Sequence, residues 1–119
     1  MKLFCIFVIV KVRLVKKHTI TKFVEAHRNS KISFDLWLEK LNSANWENIN
    51  DLKLTFGAAD LLDKHSNRIV FNIGGNNYRM ICTYHFGKTN VHLFIKWIGT
   101  HAEYDKLCNK NLQYTINKY

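Results

Sequence analysis

The sequence lacks closely spaced cysteines, and its three cysteines, Cys5, Cys82 and Cys108, lie far apart. Because no CxxC spacing occurs, neither a zinc knuckle nor a disulfide framework is predicted. Three free thiols fit a reducing compartment, so we expect a cytoplasmic protein. Linkers and low-complexity tracts are missing too, so the 119 residues, 47% of them hydrophobic, are predicted to form one domain, 1–119.

A long hydrophobic run is also missing. The apolar stretch at residues 3–10 is far shorter than the ~20 residues that a membrane-spanning helix needs. Basic residues rather than a small-residue cleavage site follow it, so a signal peptide is not predicted and no membrane partner is expected. Residues 3–16 are rich in Val, Ile and Phe, which predicts a strand covered on both faces. Residues 1–11 could instead extend upstream of the domain.

Acidic residues are scarce: 18 Lys and Arg against 9 Asp and Glu give a net charge of +9. Residues 1–31 hold eight bases and one acid, and residues 64–119 hold eight bases and two acids. Residues 32–63 hold two bases and six acids. Excess positive charge attracts polyanions such as nucleic acids. A solvated basic surface is the plain alternative.

Apolar residues at helical spacing predict two helices in the first half of the chain. The first begins near Thr19 and the second spans about 30–43. A further helical turn is predicted over 48–54, and a loop over 56–64. The two stripes consist of Ile20, Phe23, Val24 and His27 in the first helix and Phe34, Trp37, Leu38 and Leu41 in the second.

Strand patterns then follow, at 68–73, 78–86 and 91–98, with turns at 74–77 and 87–90. Thr100 and Glu103 have the spacing of a capping box, so His101 is predicted to open a helix that reaches about Leu112. The expected fold is α+β: a single domain with two N-terminal helices packed on an antiparallel β-sheet meander, and a short C-terminal helix.

Counting alternate residues along these strands separates two faces of the sheet. One face is predicted to be apolar and to pack under the helices; its last member is Trp97. The other face is predicted to be a nucleic-acid platform, with an ordinary solvated face as the alternative. It gathers Arg68, Asn72, Arg79, His85, His92 and Lys96, together with Ile98.

These residue types suit the cleavage of RNA without a metal, because the ribose 2′-OH supplies the nucleophile. The reaction needs a base for the 2′ proton, cationic donors for the phosphorane and an acid for the departing 5′ oxygen. His101, at a helix start that favours an anion, is the leading candidate. Arg79 could grip the phosphate, and Tyr104 lies on nearly the same helix face as His101.

Each assignment has a structural alternative. His101 could be an ordinary exposed histidine at a helix start, Arg79 part of a surface salt bridge, and Tyr104 a rim aromatic. Contacts to the RNA backbone are predicted for Lys64, His65 and Arg68, for which a charged loop is the alternative.

Other site classes find little support. His85 and His92 flank a turn and could approach across the hairpin, but no carboxylate or cysteine completes a metal set. Gly74 and Gly75 are not a phosphate loop, because the GxxxxGK pattern is missing and a strand rather than a helix follows. A serine or cysteine nucleophile paired with a base is not visible. No metal and no cofactor are therefore expected.

Two motifs, IGGNNYR at 73–79 and THAEYDKL at 100–107, resemble the signatures of HigB-type toxins of the RelE/ParE toxin–antitoxin superfamily. The resemblance covers about residues 12–112, and its specific motifs lie within 71–107. It implies a compact α+β fold and a metal-independent endoribonuclease that cuts mRNA, generally in the ribosomal A site. It also implies a HigA-type antitoxin that neutralises the toxin, and operator DNA bound only through the toxin–antitoxin complex.

By position, Arg79 matches the sheet arginine of RelE-like toxins, and His101 lies where relatives carry a catalytic His or Arg. Tyr104 falls near a tyrosine that such toxins use. Lys64, His65 and Arg68 correspond to basic residues before the first meander strand, although Ser66 and Asn67 interrupt the usual pattern. Lys96 and Asp105 complete the residues for which the resemblance implies contact with RNA.

Two competing hypotheses stay open at this point. A ParE-like toxin shares the fold but poisons gyrase by binding it and cuts no RNA; His101 and Tyr104 argue against it, because a binder does not need them. The other is a non-catalytic module that binds RNA or the ribosome. Which residue is the base and which the acid also stays open, and a lysine base is an alternative.

Overall fold

A computed structural model describes residues 11–62 and 66–119. These residues form a mixed sheet with the strand order β1-β5-β4-β3-β2, four α-helices and two short 3₁₀ turns. The strands are β1 (Lys11–Val15), β2 (Asp60–Leu61), β3 (Arg68–Ile73), β4 (Tyr78–Phe86) and β5 (Asn90–Thr100). The helices are α1 (His18–Ala26), α2 (Lys31–Asn42), α3 (Ile49–Thr55) and α4 (His101–Asn109), and the 3₁₀ turns are Arg28–Ser30 and Leu112–Tyr114.

This architecture confirms the predicted α+β class, with β3, β4 and β5 pairing in order as an antiparallel meander. Two predicted boundaries are wrong. The loop over 56–64 contains β2, because Asp60 and Leu61 pair with β3. The last helix ends at Asn109 rather than near Leu112, because Asn111 adopts a left-handed backbone with φ of 56° that a helix cannot continue.

The strand predicted over 3–16 is described from Lys11 onward; its first part lies outside the described residues. The described part, β1, pairs in parallel with β5 at the edge of the sheet. The prediction of cover on both faces is wrong for it: no residue of β1 is buried, and Lys11 and Arg13 are exposed. Its two exposed cations alternate along the strand and so point to the same side of the sheet.

The main core lies between helices α1, α2 and α3 and the face of the sheet that was predicted to be apolar, which we call the first face. The opposite face is called the second face. Aromatic rings fill much of it, and the ring centroids of Trp37 and Phe71 lie 5.1 Å apart, edge to face. Trp46 is fully buried and donates its indole N–H to Thr55 Oγ1 at 2.8 Å, which satisfies its polar group. The helices that cover this face thereby hold β3–β5 in fixed positions. No helix among the described residues is long and apolar enough to cross a membrane.

A β-bulge at Lys96 changes the face on which the end of β5 points. Ile81 pairs with Trp97, but the next residue of β4, Cys82, pairs with Ile95, so Lys96 is left without a partner in the ladder. Trp97 therefore packs on the second face, with Ile81 and Val70, whereas Ile98 joins the main core. The predicted faces of Trp97 and Ile98 are both wrong, because counting alternate residues does not account for the extra residue of a bulge.

The second face is likewise not the continuous cationic surface that the sequence predicts. Its middle is a small second core of Val70, Ile81, Trp97 and Leu107, covered by α4 and by the C-terminal segment through Ile116. This cover divides the face into two separate ends. One end carries Arg79 and the start of α4, and the other carries His85 and His92.

Candidate active site

The first end of the second face is a corner at which the β3–β4 turn meets the β5–α4 junction. Gly74 and Gly75 have φ values of 64° and 65°, which lets the chain reverse tightly between β3 and β4. Arg79 lies opposite Gly99 in the ladder, and the main-chain N–H of His101 donates to the Asn77 carbonyl at 3.0 Å. Sheet hydrogen bonding therefore carries Arg79 and His101 to the same corner.

A capping box fixes where α4 begins, as predicted. The Glu103 N–H donates to Thr100 Oγ1 at 3.2 Å, and the Thr100 N–H donates to Glu103 Oε1 at 2.8 Å. Satisfying both N–H groups makes His101 the first helical residue. The backbone of His101 is therefore held between β5 and α4, rather than in an irregular loop.

The His101 ring keeps one side open to solvent. Its Nδ1 lies 3.4 Å from Asp105 Oδ1, one helical turn further on, and is shielded from water. That geometry falls short of a hydrogen bond but pairs charges when the imidazole is protonated. The side chain as a whole is 44% exposed, so its accessible part is the edge that bears Nε2. An incoming substrate can reach that nitrogen, while Asp105 limits how the ring turns.

Arg79 is largely buried yet retains free donors. Its side chain is 9% exposed, and its guanidinium makes two long hydrogen bonds, to the Tyr78 carbonyl at 3.3 Å and to Asn76 Oδ1 at 3.4 Å. No carboxylate forms an ion pair with it within residues 11–62 and 66–119. A guanidinium has five N–H donors, so several stay available for a phosphate.

Tyr104 lies between Trp97, whose ring centroid is 6.0 Å away, and Cys108, one turn further along α4. Burial raises the pKa of the Tyr104 phenol, as do its hydrogen bond with Cys108 and the negative charge of Asp60, whereas Arg79 lowers it. The net direction is upward, so Tyr104 carries its proton at neutral pH. The influence of Arg79 also shows that the two side chains are near one another.

The structure separates the residues for which contact with RNA was predicted. Arg79, His101, Tyr104 and Asp105 share the corner, whereas Lys64 and His65 lie outside the described residues. Lys96 lies on the bulge, and its carbonyl accepts from the Lys118 N–H at 2.9 Å.

Arg68 lies apart from the corner and binds the C-terminal segment. It opens β3 opposite Thr83, at the other end of the strand from the corner, and its side chain is 8% exposed. Its Nη1 donates to the carbonyls of Gln113 at 3.3 Å and Ile116 at 2.8 Å. Burial lowers the pKa of this guanidinium. Arg68 therefore holds the C-terminal segment against the sheet, a role that depends on residues 45 and 48 positions away and leaves no local signal.

Sequence reasoning missed two residues that shape the corner. A side chain at Gly99 would collide with the Trp97 indole, so glycine there leaves room for the ring at the end of β5. A glycine inside a strand pattern was the available signal. Asp60 lies in β2 opposite Val70 and acts on the phenol of Tyr104. Nothing in the sequence marks it, because β2 is only two residues long.

A metal site finds no support in the described residues. His85 and His92 are direct partners across the β4–β5 hairpin, which confirms their predicted approach. No group of three His, Cys, Asp or Glu residues is placed to hold a metal ion anywhere in the described part of the chain.

Two comparisons with known proteins identify the family of this chain. A family model described as HigB toxin, the RelE-like toxic component of a toxin–antitoxin system, matches residues 30–107, a range that contains the whole corner. The chain is also similar to a protein named mRNA interferase HigB from Escherichia coli O6:H1, strain CFT073. The two are 24% identical over 94 residues, which cover 79% of this chain and 89% of that protein.

Proposed function

Because the chain belongs to the HigB family of RelE-like toxins, we propose that the corner formed by Arg79, His101 and Tyr104 cleaves mRNA. Membership of the family makes the chain the toxic component of a toxin–antitoxin system, with an antitoxin as its partner. The name of the E. coli relative, mRNA interferase, supports the substrate and the reaction. The observation that carries the proposal is a guanidinium that pairs with no carboxylate of residues 11–62 and 66–119, at the same sheet corner as an exposed imidazole and a protonated phenol.

The proposed reaction begins with attack of a ribose 2′ oxygen on the adjacent phosphorus. The accessible Nε2 of His101 takes the 2′ proton as the new P–O2′ bond forms. The bond from phosphorus to the 5′ oxygen then breaks, leaving a 2′,3′-cyclic phosphate on one fragment. The departing 5′ oxygen receives the proton of Tyr104, whose phenol is protonated at neutral pH.

Arg79 stabilises the charge that builds on the phosphorane. Its free N–H donors point from a buried position, where an ionic hydrogen bond is stronger than in water. Neither step requires a metal. Asp105 contributes indirectly: its carboxylate 3.4 Å from Nδ1 stabilises the imidazolium that forms when His101 accepts the proton.

The cellular setting completes the proposal. We propose that the protein acts in the cytoplasm on mRNA held by the ribosome, that a HigA-type antitoxin neutralises it, and that operator DNA is bound only through the toxin–antitoxin complex. A net charge of +9 favours these polyanionic partners.

Controlled expression in bacteria tests this function. The wild type is compared with His101→Ala and Arg79→Ala, and the ends of cellular mRNAs and the supercoiling of plasmid DNA are mapped. His18→Ala and Lys17→Ala serve as controls, since both residues are exposed at the start of α1. New mRNA ends that appear with the wild type and both controls, and vanish with the two corner variants, support the enzyme.

Two other outcomes would replace it. Growth arrest with intact mRNA and altered DNA supercoiling would assign the protein to the gyrase inhibitors. Growth arrest with neither mRNA ends nor altered supercoiling, and unchanged in His101→Ala, would assign it to non-catalytic binding of RNA or the ribosome.

A further inference from the structure

The other end of the second face carries an aromatic ring with two histidines and a lysine beside it. Phe94 on β5 is half-buried, and its ring lies 5.4 Å from His85, edge to face, and 6.2 Å from His92, both between centroids. Lys96 Nζ lies 5.9 Å from the same ring centroid. We call Phe94, His85, His92, Lys96 and Arg13 the sheet platform.

Strand register explains why these side chains share one surface. Arg13 of β1, His92 of β5 and His85 of β4 form one row across three neighbouring strands. Phe94 stands in the next row, between Val15 and Thr83. Residues directly opposite in a ladder lie on the same face, so Arg13, His92 and His85 lie on the same face as Phe94, one row away from it.

The platform has no negative charge of its own. Strands β1, β4 and β5 together contain no aspartate and no glutamate. Arg13 is exposed, and its Nε donates to Asn90 Oδ1 at 3.1 Å, a neutral partner that leaves the charge uncompensated. The covering segments that bury the middle of this face reach Trp97 and Ile81. The ring therefore lies beside positive charge, from Arg13 and Lys96, that forms no ion pair with a carboxylate in the described part of the chain.

We propose that the sheet platform binds single-stranded RNA, with a base stacked on Phe94 and the adjoining phosphates on Arg13 and Lys96. Aromatic rings on a sheet surface stack with any base, and cations beside them follow the backbone. An acidic polypeptide would also be drawn to the charge, but it has no use for a half-exposed ring among histidines. The choice of RNA rests on the proposed function.

The platform and the cleaving corner are the two ends of the second face, on either side of its covered middle. Phe94 and Thr100 are six residues apart on β5, which is about 20 Å at the rise of a strand. A strand of RNA that touches both therefore spans several nucleotides. The platform would bind substrate beyond the scissile phosphate and set the length of RNA that is held.

Binding of a labelled 12-nucleotide oligouridine, measured by fluorescence anisotropy, tests the proposal. His101→Ala serves as the background so that the probe is not cut, and the full chain is used throughout. Adding Phe94→Leu keeps the apolar bulk but removes the stacking ring, and it should weaken binding at least about fivefold. Adding Phe94→Tyr should restore it. Arg28→Gln, a charge change beside α1, is the control and should have a smaller effect than Arg13→Gln.

If Phe94→Leu fails to fold, two further measurements still test the proposal. Arg13→Gln together with Lys96→Gln should lower the magnitude of the slope of log affinity against log salt by about 0.7 to 1.4, as expected when one or two phosphate contacts to a single strand are lost. Amide shifts in NMR should appear around 83–86 and 91–96 on addition of the oligonucleotide.

Three results would overturn the proposal. These are equal binding by Phe94→Leu, an unchanged salt slope in the double variant, and a poly-glutamate peptide of 12 residues that binds at least as tightly as the RNA. The last would reassign the platform to an acidic protein partner. The two failures can be told apart, because the platform is tested by RNA binding and the proposed function by cleavage. If the platform does not bind RNA, the wild type should still show cleavage that depends on His101.

Discussion

The main-chain N–H of His101 donates to the carbonyl oxygen of Asn77 across 3.0 Å. This bond extends the β4–β5 ladder one step beyond Tyr78 and Thr100, into the residue that opens α4. The turn before Arg79 and the helix that carries His101 and Tyr104 are thereby joined by the backbone. A site held in this way needs no loop to close, because sheet geometry sets the separation of its cation from its imidazole.

The capping box at the start of α4 should contribute measurably to stability. Thr100→Ala removes the acceptor for the Glu103 N–H and should lower the free energy of unfolding by about 1 kcal/mol. Urea denaturation measures the loss. Thr21→Ala, an exposed threonine within α1, is the matched control and should change stability little. Equal stability of the Thr100 variant and the wild type would show that the box does not hold the helix.

Arg68 should behave as a structural residue. Arg68→Ala leaves the buried carbonyl of Gln113 and that of Ile116 without this donor, and should cost about 2 kcal/mol in unfolding free energy. Hydrogen exchange should also become faster in residues 112–119. Arg28→Ala should be neutral by both measures. An Arg68→Ala variant with unchanged stability but weaker RNA binding would instead support the contact with RNA that the sequence predicts.

Gly99 should tolerate no side chain. Gly99→Ala places a methyl group against the Trp97 indole, and moving that ring within the second core should cost about 1–3 kcal/mol. Near-ultraviolet circular dichroism should report the displaced tryptophan. Gly57→Ala is the control, because a methyl group there meets only the Lys53 carbonyl at 4.0 Å. Unfolding of both alanine variants at the same urea concentration would contradict this role of Gly99.

The ionisation of Tyr104 should appear at unusually high pH. Burial raises the pKa of its phenol above the ordinary value of about 10, so the folded protein holds this proton longer than the unfolded chain does. Stability linked to Tyr104 is therefore fully present below about pH 10 and is lost as the pH rises further. Absorbance titration at 295 nm, with Tyr104→Phe subtracted, gives the pKa directly.

The catalytic consequence follows from the same shift. Between pH 6 and 9 the Tyr104 phenol stays protonated, so its ionisation should cause no fall in cleavage rate there. A difference titration that gives a pKa at or below about 10 would contradict the role of burial.

The sequence alone predicted the features that contacts between neighbouring residues determine. The bounds of β3 and β4, the glycine turn between them and the capping box at Thr100 all follow from contacts within a few positions. The approach of His85 to His92 follows from the hairpin register in the same way.

Long-range contacts decided what the sequence could not show. The bulge at Lys96 inserts one residue without a glycine or other local mark, and it exchanges the faces of Trp97 and Ile98. Arg68 is buried by a C-terminal segment more than 40 positions away, so its charge alone suggested a surface role. Asp60 reaches the corner only because two residues of β2 add to the sheet edge.

Whether His101 and Arg79 cleave RNA at a shared corner is decided by the single-turnover rate of mRNA cleavage on purified ribosomes. In the presence of a metal-chelating agent at a concentration that leaves ribosomes intact, the wild type should still produce fragments with 2′,3′-cyclic phosphate ends. His101→Ala, shown by urea denaturation to be folded, should cut at about one hundredth of the wild-type rate or below. His18→Ala should match the wild type. Equal rates for wild type and His101→Ala, or no cleavage by the wild type, would contradict the account.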